Sequence, residues 1–176
     1  QHKHDEGTVN INTILQESQK HNNLIYPSYK RVGPRIFEGD MVVRIVNDYK
    51  NDALYANGDI GIVKKQDGTI VIEYIGSELK QVLTNDELYE DFQLAYCLTI
   101  HKVQGSQYET IVLIMGDNHQ YSWTKNDAKK LLYTAISRAE KRCIILGNPN
   151  LFVQAQKEKS VNKPTFFLKH FHQYNI

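Results

Sequence analysis

Six residues within one stretch of eight, Thr99, His101, Lys102, Gln104, Gly105 and Ser106, bring together hydroxyls, an imidazole, a cation, an amide and a glycine that lets a ligand approach the backbone. A loop of that composition suits contacts to phosphate or sugar. The plainer alternative is a polar turn between two strands, and on HKVQGS alone that alternative is the stronger one. Arg138 shifts the balance. It stands near the end of an amphipathic stretch, where a cation complements helix carbonyls, but Lys141 and Arg142 follow it and supply that charge. Arg138 is then free to lean across an interface toward a phosphate.

The elements that must position these residues are readable around them. Residues 92–100, FQLAYCLTI, set Phe92, Leu94, Tyr96, Leu98 and Ile100 against Ala95, Cys97 and Thr99, which predicts a strand apolar on both faces and central in a sheet. After the polar connection HKVQGSQYE, TIVLIM reads as a second buried strand. From Asn126 onward, Ala128, Leu131, Leu132, Ala135, Ile136 and Ala139 recur at helical spacing, with Asn126 or Thr124 as the cap. RCIILG then forms a third buried strand, ended by Gly147 and Pro149. Strand, helix and strand in crossover order predict a parallel α/β core, and ligands of such sheets bind beyond the carboxyl ends of the strands.

Upstream, Ile11, Ile14 and Leu15 predict an amphipathic helix over residues 9–21, stopped by Asn22, Asn23 and Pro27. Between residues 34 and 83, short β-branched or aromatic runs separated by Asn-Gly, Asp-Gly and Gly-Ser predict a small β-barrel or meander, a candidate insertion with its own core. GTIVIEYI and LKQVL, joined around Gly76 and Ser77, read as a hairpin. The last stretch predicts peripheral helices over residues 149–157 and 164–172.

Composition excludes several classes. The 176 residues are 41% hydrophobic and 23% charged, a globular balance. Twenty-one Lys and Arg against twenty Asp and Glu give a net charge of +1, so any phosphate recognition rests on a few placed groups rather than on bulk charge. Cys97 and Cys143 lie in apolar runs and read as small buried hydrophobes of a reducing, cytoplasmic setting, with no disulfide or zinc framework. His2 and His4 lie in a polar terminal stretch with no further His or Cys nearby, so no metal site is expected. No apolar run approaches a membrane span, and no P-loop motif occurs, so the chain alone is not expected to hydrolyse ATP by a P-loop mechanism.

Two segments together resemble a known family. LAYCLTIHKVQGSQYETIVLIM is similar to motif V, and LLYTAISRAEKRCIILG to motif VI, of superfamily 1 helicases, in the right order and at a fitting separation. The likeness is greatest to the RecD-like and Dda-like branch, which includes the exodeoxyribonuclease V alpha subunit, and it covers roughly residues 8–150. GDMVVRIVNDY followed by NGDIGIV resembles the segment of that branch in which a small SH3-like β-barrel is inserted into the second RecA-like domain. The fold this implies is α/β: a RecA-like parallel-sheet domain, helicase domain 2A, begun by residues 1–37, interrupted by an insert over residues 38–90, completed by residues 91–150 and followed by a helical tail over residues 151–176.

The resemblance also implies roles. Arg138 matches the arginine that reaches the ATP γ-phosphate, a finger worth about 10³- to 10⁵-fold in rate in phosphoryl transfer. Gln104 and Gly105 match the part of motif V that lines the nucleotide cleft, and Gln107 stands where the family usually has an acidic residue that contacts the ribose. Thr99, His101 and Lys102 match the part that contacts the backbone of single-stranded DNA, and Ser106 suits either surface. ATP and Mg²⁺ are the implied cofactors. The implied partners are single-stranded DNA, the first RecA-like domain, whose nucleotide motifs this chain lacks, and nuclease or recombination subunits, with no membrane. The expectation is therefore the C-terminal part of an ATP-dependent 5′-to-3′ DNA helicase, inactive as an ATPase by itself. Asp86 and Glu87 in TNDELYE are poor Mg²⁺ ligands, because no continuous buried strand precedes them.

Two other classes compete. A nucleic-acid-binding module without a motor would use Tyr49, Tyr55 and Tyr74 of the SH3-like region as stacking platforms, although core or rim is the plainer place for them. A Cys97–His101 hydrolase fails on geometry, since four residues along a strand span ~13 Å at ~3.3 Å per residue.

Overall fold

The computed structural model describes residues 7–19, 22–27, 34–47, 54–117, 120–124 and 127–157. The chain divides into two compact units, Gln1–Val103 and Gln104–Ile176.

The first unit opens with helix α1, Thr8–Glu17, followed by β1 (Asn22–Ile25) and β2 (Ile36–Glu38), which pair antiparallel. The helix starts one residue before the predicted span and stops four short of its end, and the predicted stripe is not its inner face. Asn12 and Gln16 are buried, while Val9, Ile14 and Leu15 are exposed. Hydrogen bonding is the reason: Asn12 and Gln16 find partners inside the unit, described below, that offset the cost of burying two amides.

Five strands make an antiparallel sheet in the order β6-β5-β4-β3-β7: β3 (Met41–Arg44), β4 (Ile60–Gln66), β5 (Thr69–Tyr74), β6 (Lys80–Leu83) and β7 (Phe92–Leu94). The predicted runs form these strands, and GTIVIEYI pairs with LKQVL as expected, Val71 opposite Val82. The β4–β5 turn is a two-residue loop, Asp67 and Gly68, both at positive φ (50° and 82°), the twist that a tight hairpin requires. The sheet has two open ends, β6 and β7, among the described residues, so the expected barrel is here an open sheet.

Gly61 marks the closest approach within this sheet. A Cβ there would overlap Ile72 Cγ2 and come within 3.0 Å of the Glu73 carbonyl oxygen. Gly61→Ala is therefore expected to cost about 1–3 kcal/mol, the usual range for overpacking. Urea unfolding with the midpoint lowered and the slope unchanged would record it.

Between β6 and β7 lies helix α2, Asn85–Asp91, which the sequence did not predict. It begins with a capping box: the Glu87 amide donates to Thr84 Oγ1 at 3.2 Å, and the Thr84 amide donates to Glu87 Oε2 at 2.9 Å. The Glu87 carboxylate thus has a structural task.

The core of this unit surrounds a buried arginine. Arg44, 3% exposed, pairs with Asp91 at 3.3 Å and donates to Gln81 Oε1 at 2.7 Å and to the Val46 carbonyl at 3.0 Å. Its guanidinium carbon lies 5.3 Å from the Phe92 ring centre and 5.9 Å from that of Tyr55. Tyr55 and Tyr74 stack at 4.9 Å and are buried, so neither is an open platform for bases; Tyr49 lies outside the described residues.

The second unit carries the parallel pair. Strands β8 (Tyr108–Met115) and β9 (Ala139–Gly147) run parallel in the register Ile111 to Cys143, joined through α3 (Gln120–Trp123) and α4 (Ala128–Ile136). Helix α5, Pro149–Lys157, follows as predicted, while residues 164–172 lie outside the described set. Helix α4 buries Ala128, Leu132 and Ala135 of its predicted stripe. Its cap position is Asp127, not Thr124, whose hydroxyl donates to the Gln120 carbonyl; Asn126 lies outside the described residues.

Two expectations for the parallel core are corrected. Residues 92–100 do not form one central strand. Only Phe92–Leu94 is a strand, and it pairs antiparallel with β3 in the first unit. The backbone beyond it is satisfied otherwise: the Ala95 amide donates to the Met41 carbonyl, and both backbone groups of Cys97 bond to the Asn12 side chain. Nor is β9 buried. Ile144 and Leu146 are 45% and 52% exposed, and Val112 of β8 is 53% exposed. Parallel sheets are normally covered on both faces; the described part of this one is a two-stranded piece.

Candidate functional site

Residues 100–105 make a continuous turn, of which 100–103 belong to the first unit and 104–105 to the second. It starts at Thr99, whose carbonyl accepts from the amides of Lys102 (3.0 Å) and Val103 (3.3 Å). Thr99 is half-buried and His101 exposed. Lys102 is half-buried, and its Nζ donates to Gln93 Oε1 on β7 at 3.0 Å. Thr99 and Lys102 also line a cavity of about 430 Å³ together with Asn12, Phe92, Leu94 and Cys97. Burial there lowers the Lys102 pKa from its ordinary value and raises that of the Cys97 thiol, which opposes any nucleophilic use of Cys97.

In the second unit, Gln104, Gly105 and Gln107 are exposed and Ser106 is half-buried. Gly105 has φ +95°, and a Cβ there would meet nothing within 4 Å, so the backbone is open to an approaching ligand. Arg138 is brought to this segment. Its Nη1 donates to the Ser106 carbonyl at 3.0 Å, and its own carbonyl accepts from the Tyr108 amide at 2.8 Å. Nε donates to the Thr134 carbonyl at 3.2 Å and Nη2 to Ser137 Oγ at 3.1 Å. Three of the five N–H donors of the guanidinium thus fix its plane.

Contrary to the expectation that frees Arg138 from the helix end, Lys141 and Arg142 do not serve the carbonyls of α4. They lie on β9 and reach β8, Lys141 to Glu109 at 3.2 Å and Arg142 to Thr110 Oγ1 at 3.3 Å. Arg138 itself takes the helix-end carbonyl, through Nε, and carries the contact to Ser106 on its other arm. The predicted residues therefore fall into two groups: Gln104, Gly105, Ser106, Gln107 and Arg138 in one unit, and Thr99, His101 and Lys102 in the other. Among the described residues no group of three or more His, Cys, Asp or Glu could hold a metal ion, and no helix is long and apolar enough to cross a membrane.

Three residues that the sequence did not mark as site residues hold the stretch just before the turn: Asn12, Asp40 and Tyr96. Asn12 sits in an apolar-patterned helix, and its partner is a backbone group 85 positions away, so no spacing signal reveals it.

Residues 94–146 match the model of the UvrD-like helicase C-terminal domain. The chain is 32% identical over 143 residues to the ATP-dependent RecD2 DNA helicase of Deinococcus radiodurans, covering 78% of this chain and 19% of that protein. It is 25% identical over 150 residues to the RecBCD enzyme subunit RecD of Buchnera aphidicola subsp. Schizaphis graminum, covering 84% of this chain and 24% of the relative. The chain therefore spans less than a quarter of the length of either relative. In fold it is similar to the crystal structure of Pif1 helicase from Bacteroides in complex with ADP-AlF3 and ssDNA, with a TM-score of 0.55 at 20% identity over 94% of this chain and 43% of that one.

Proposed function

We propose, for a chain that belongs to the RecD-like branch of superfamily 1 helicases and carries their C-terminal domain, that it works as the C-terminal part of a longer ATP-dependent 5′-to-3′ DNA helicase. In this reading residues 1–37 and 91–150 form the second RecA-like domain, residues 38–90 its SH3-like insert and residues 151–176 a helical tail. Arg138 is the finger that meets the γ-phosphate, while Gln104, Gly105 and Gln107 line the nucleotide. Thr99, His101, Lys102 and Ser106 grip the backbone of single-stranded DNA. The chain holds no P-loop, so the phosphate cradle and the Mg²⁺ ligands come from the first RecA-like domain. By itself the chain hydrolyses no ATP, and nuclease or recombination subunits are partners of the whole protein.

The observation that carries this reading is the 3.0 Å bond from Arg138 to the Ser106 carbonyl. It ties the proposed finger to the segment that continues directly into the proposed strand-binding turn. Movement of either group at nucleotide hydrolysis reaches the other through one peptide segment, which is how two ligands come to influence each other's affinity.

The test is strand separation by the longer polypeptide. With ATP and Mg²⁺, a duplex with a 5′ single-stranded tail is expected to be unwound and one with a 3′ tail left intact. Failure to unwind either duplex with ATP would favour the non-motor binding module, a reading already weakened by the burial of Tyr55 and Tyr74.

A further inference from the structure

We infer that Asn12, Asp40 and Tyr96 are positioning residues, a polar brace that sets the chain just before residues 99–105 so that Thr99, His101 and Lys102 act on a nucleic-acid backbone as one unit. This rests on the proposed role of that turn as a strand contact.

Asn12 makes the first arm. Its Nδ2 donates to the Cys97 carbonyl at 2.8 Å and its Oδ1 accepts from the Cys97 amide at 2.9 Å, so one side chain satisfies both backbone groups of one residue, as a neighbouring strand would. Nδ2 also donates to the Thr8 carbonyl at 2.7 Å, which fixes the amide on its own helix. Asp40 makes the second arm. Fully buried at the turn between β2 and β3, it accepts from the Tyr96 hydroxyl at 2.9 Å, from the Phe37 amide at 2.8 Å and from Gln16 Nε2. Burial, with the Asp40 carboxylate beside it, pushes the Tyr96 hydroxyl up to about 12, so it remains a donor at physiological pH.

The two arms hold adjacent residues, Tyr96 by its side chain and Cys97 by its backbone. Only Leu98 separates them from Thr99, on whose carbonyl the turn closes. Bulk stability does not call for this arrangement. Helix α1 buries two amides while Val9 and Ile14 stand exposed, and an apolar contact would have covered the same surface without dehydrating a carboxylate. What directional bonds add is a fixed placement of the chain that follows them.

The experiment measures binding of a fluorescein-labelled oligothymidylate to the longer polypeptide across a salt series, for the parent, Asn12→Ala, Tyr96→Phe, Lys102→Ala, Thr99→Val and the Tyr96→Phe/Lys102→Ala pair. Asn12→Ala and Tyr96→Phe are expected to weaken binding roughly tenfold, the scale of one missing hydrogen bond. They are also expected to flatten the slope of log Kd against log salt by about 0.7 for each phosphate that is no longer neutralised. Tyr96→Phe should add little once Lys102 is alanine, because both act through the same contact. Tyr96→Phe removes a single oxygen and preserves the ring, so it remains informative even if Asn12→Ala does not fold. A lowered melting temperature with parental affinity and slope would overturn the inference and leave only a structural role. If Lys102→Ala and Thr99→Val weaken binding while the brace variants do not, the inference alone fails. If Lys102→Ala and Thr99→Val leave binding unchanged, the strand-contact reading fails and the inference with it.

Discussion

Arg138→Ala in the longer helicase polypeptide is expected to lower strand-stimulated ATP turnover by about 10³-fold or more, the scale of an arginine finger in phosphoryl transfer. Binding of single-stranded DNA should fall far less than turnover, because Arg138 meets Ser106 of the strand-binding set at a backbone carbonyl, and its other bonds go to Thr134 and Ser137 rather than to Thr99, His101 or Lys102. Arg138→Lys discriminates further. It keeps the charge but loses the planar fork that bonds Thr134, Ser106 and Ser137 together, so turnover should remain far below the parent. Stability is a useful control: the guanidinium is half-buried and its partners are neutral carbonyls and a hydroxyl, so alanine is expected to cost only about 1–2 kcal/mol in urea unfolding. Turnover that survives Arg138→Ala would assign the residue to the helix end and to the Ser106 loop alone.

The second large effect is on stability. Asp91→Ala leaves the Arg44 guanidinium buried against the Phe92 and Tyr55 rings without its carboxylate. Removing one partner of a fully buried pair costs about 3–5 kcal/mol; Asp91 is itself 27% exposed, and Gln81 and the Val46 carbonyl still accept from Arg44, so about 1–3 kcal/mol is expected here. Replacing both members, Arg44→Met with Asp91→Leu, should recover much of that loss, because no charge is then left buried. Urea unfolding followed by far-ultraviolet circular dichroism separates the two variants. Equal losses in the single and double replacements would mean that shape at Arg44, rather than charge, holds the sheet.

How far the sequence specified this structure depends on where each backbone group found its partner. The hairpin of β5 and β6, the two-residue turn at Asp67 and Gly68, and the stripe of α4 follow from local pattern, because their hydrogen bonds run between close neighbours in sequence. Residues 95–99 do not. Their apolar alternation is that of a strand, but at Cys97 it is Asn12, far away in sequence, that supplies the bonds a strand would have made. The same long-range contact inverts α1, whose polar side faces inward. Arg44 was invisible for a related reason: a lone arginine in MVVRIV is compatible with an edge position, and only Asp91 and Gln81 show why it is buried.

For the candidate site, the two segments and their order were legible, and so was Arg138 as a residue of interest. Its bond to Ser106 was not, because a guanidinium donating to a backbone carbonyl leaves no signature in the type of residue that accepts it. The charge spacing that singles Arg138 out also misleads, since Lys141 and Arg142 belong to β9 rather than to the helix end. It presumes one longer helix, whereas α4 stops at Ile136.

In the function proposed above, labour is divided: this chain would contribute the finger and part of the strand track, and the ATP cradle would lie elsewhere in the polypeptide. Measuring ATP turnover with and without single-stranded DNA, for this chain alone and for the longer polypeptide, tests it most directly. The account predicts no turnover from the chain alone under either condition and strand-stimulated turnover from the longer form. Turnover by the chain alone, or a longer form whose turnover ignores single-stranded DNA, would contradict it.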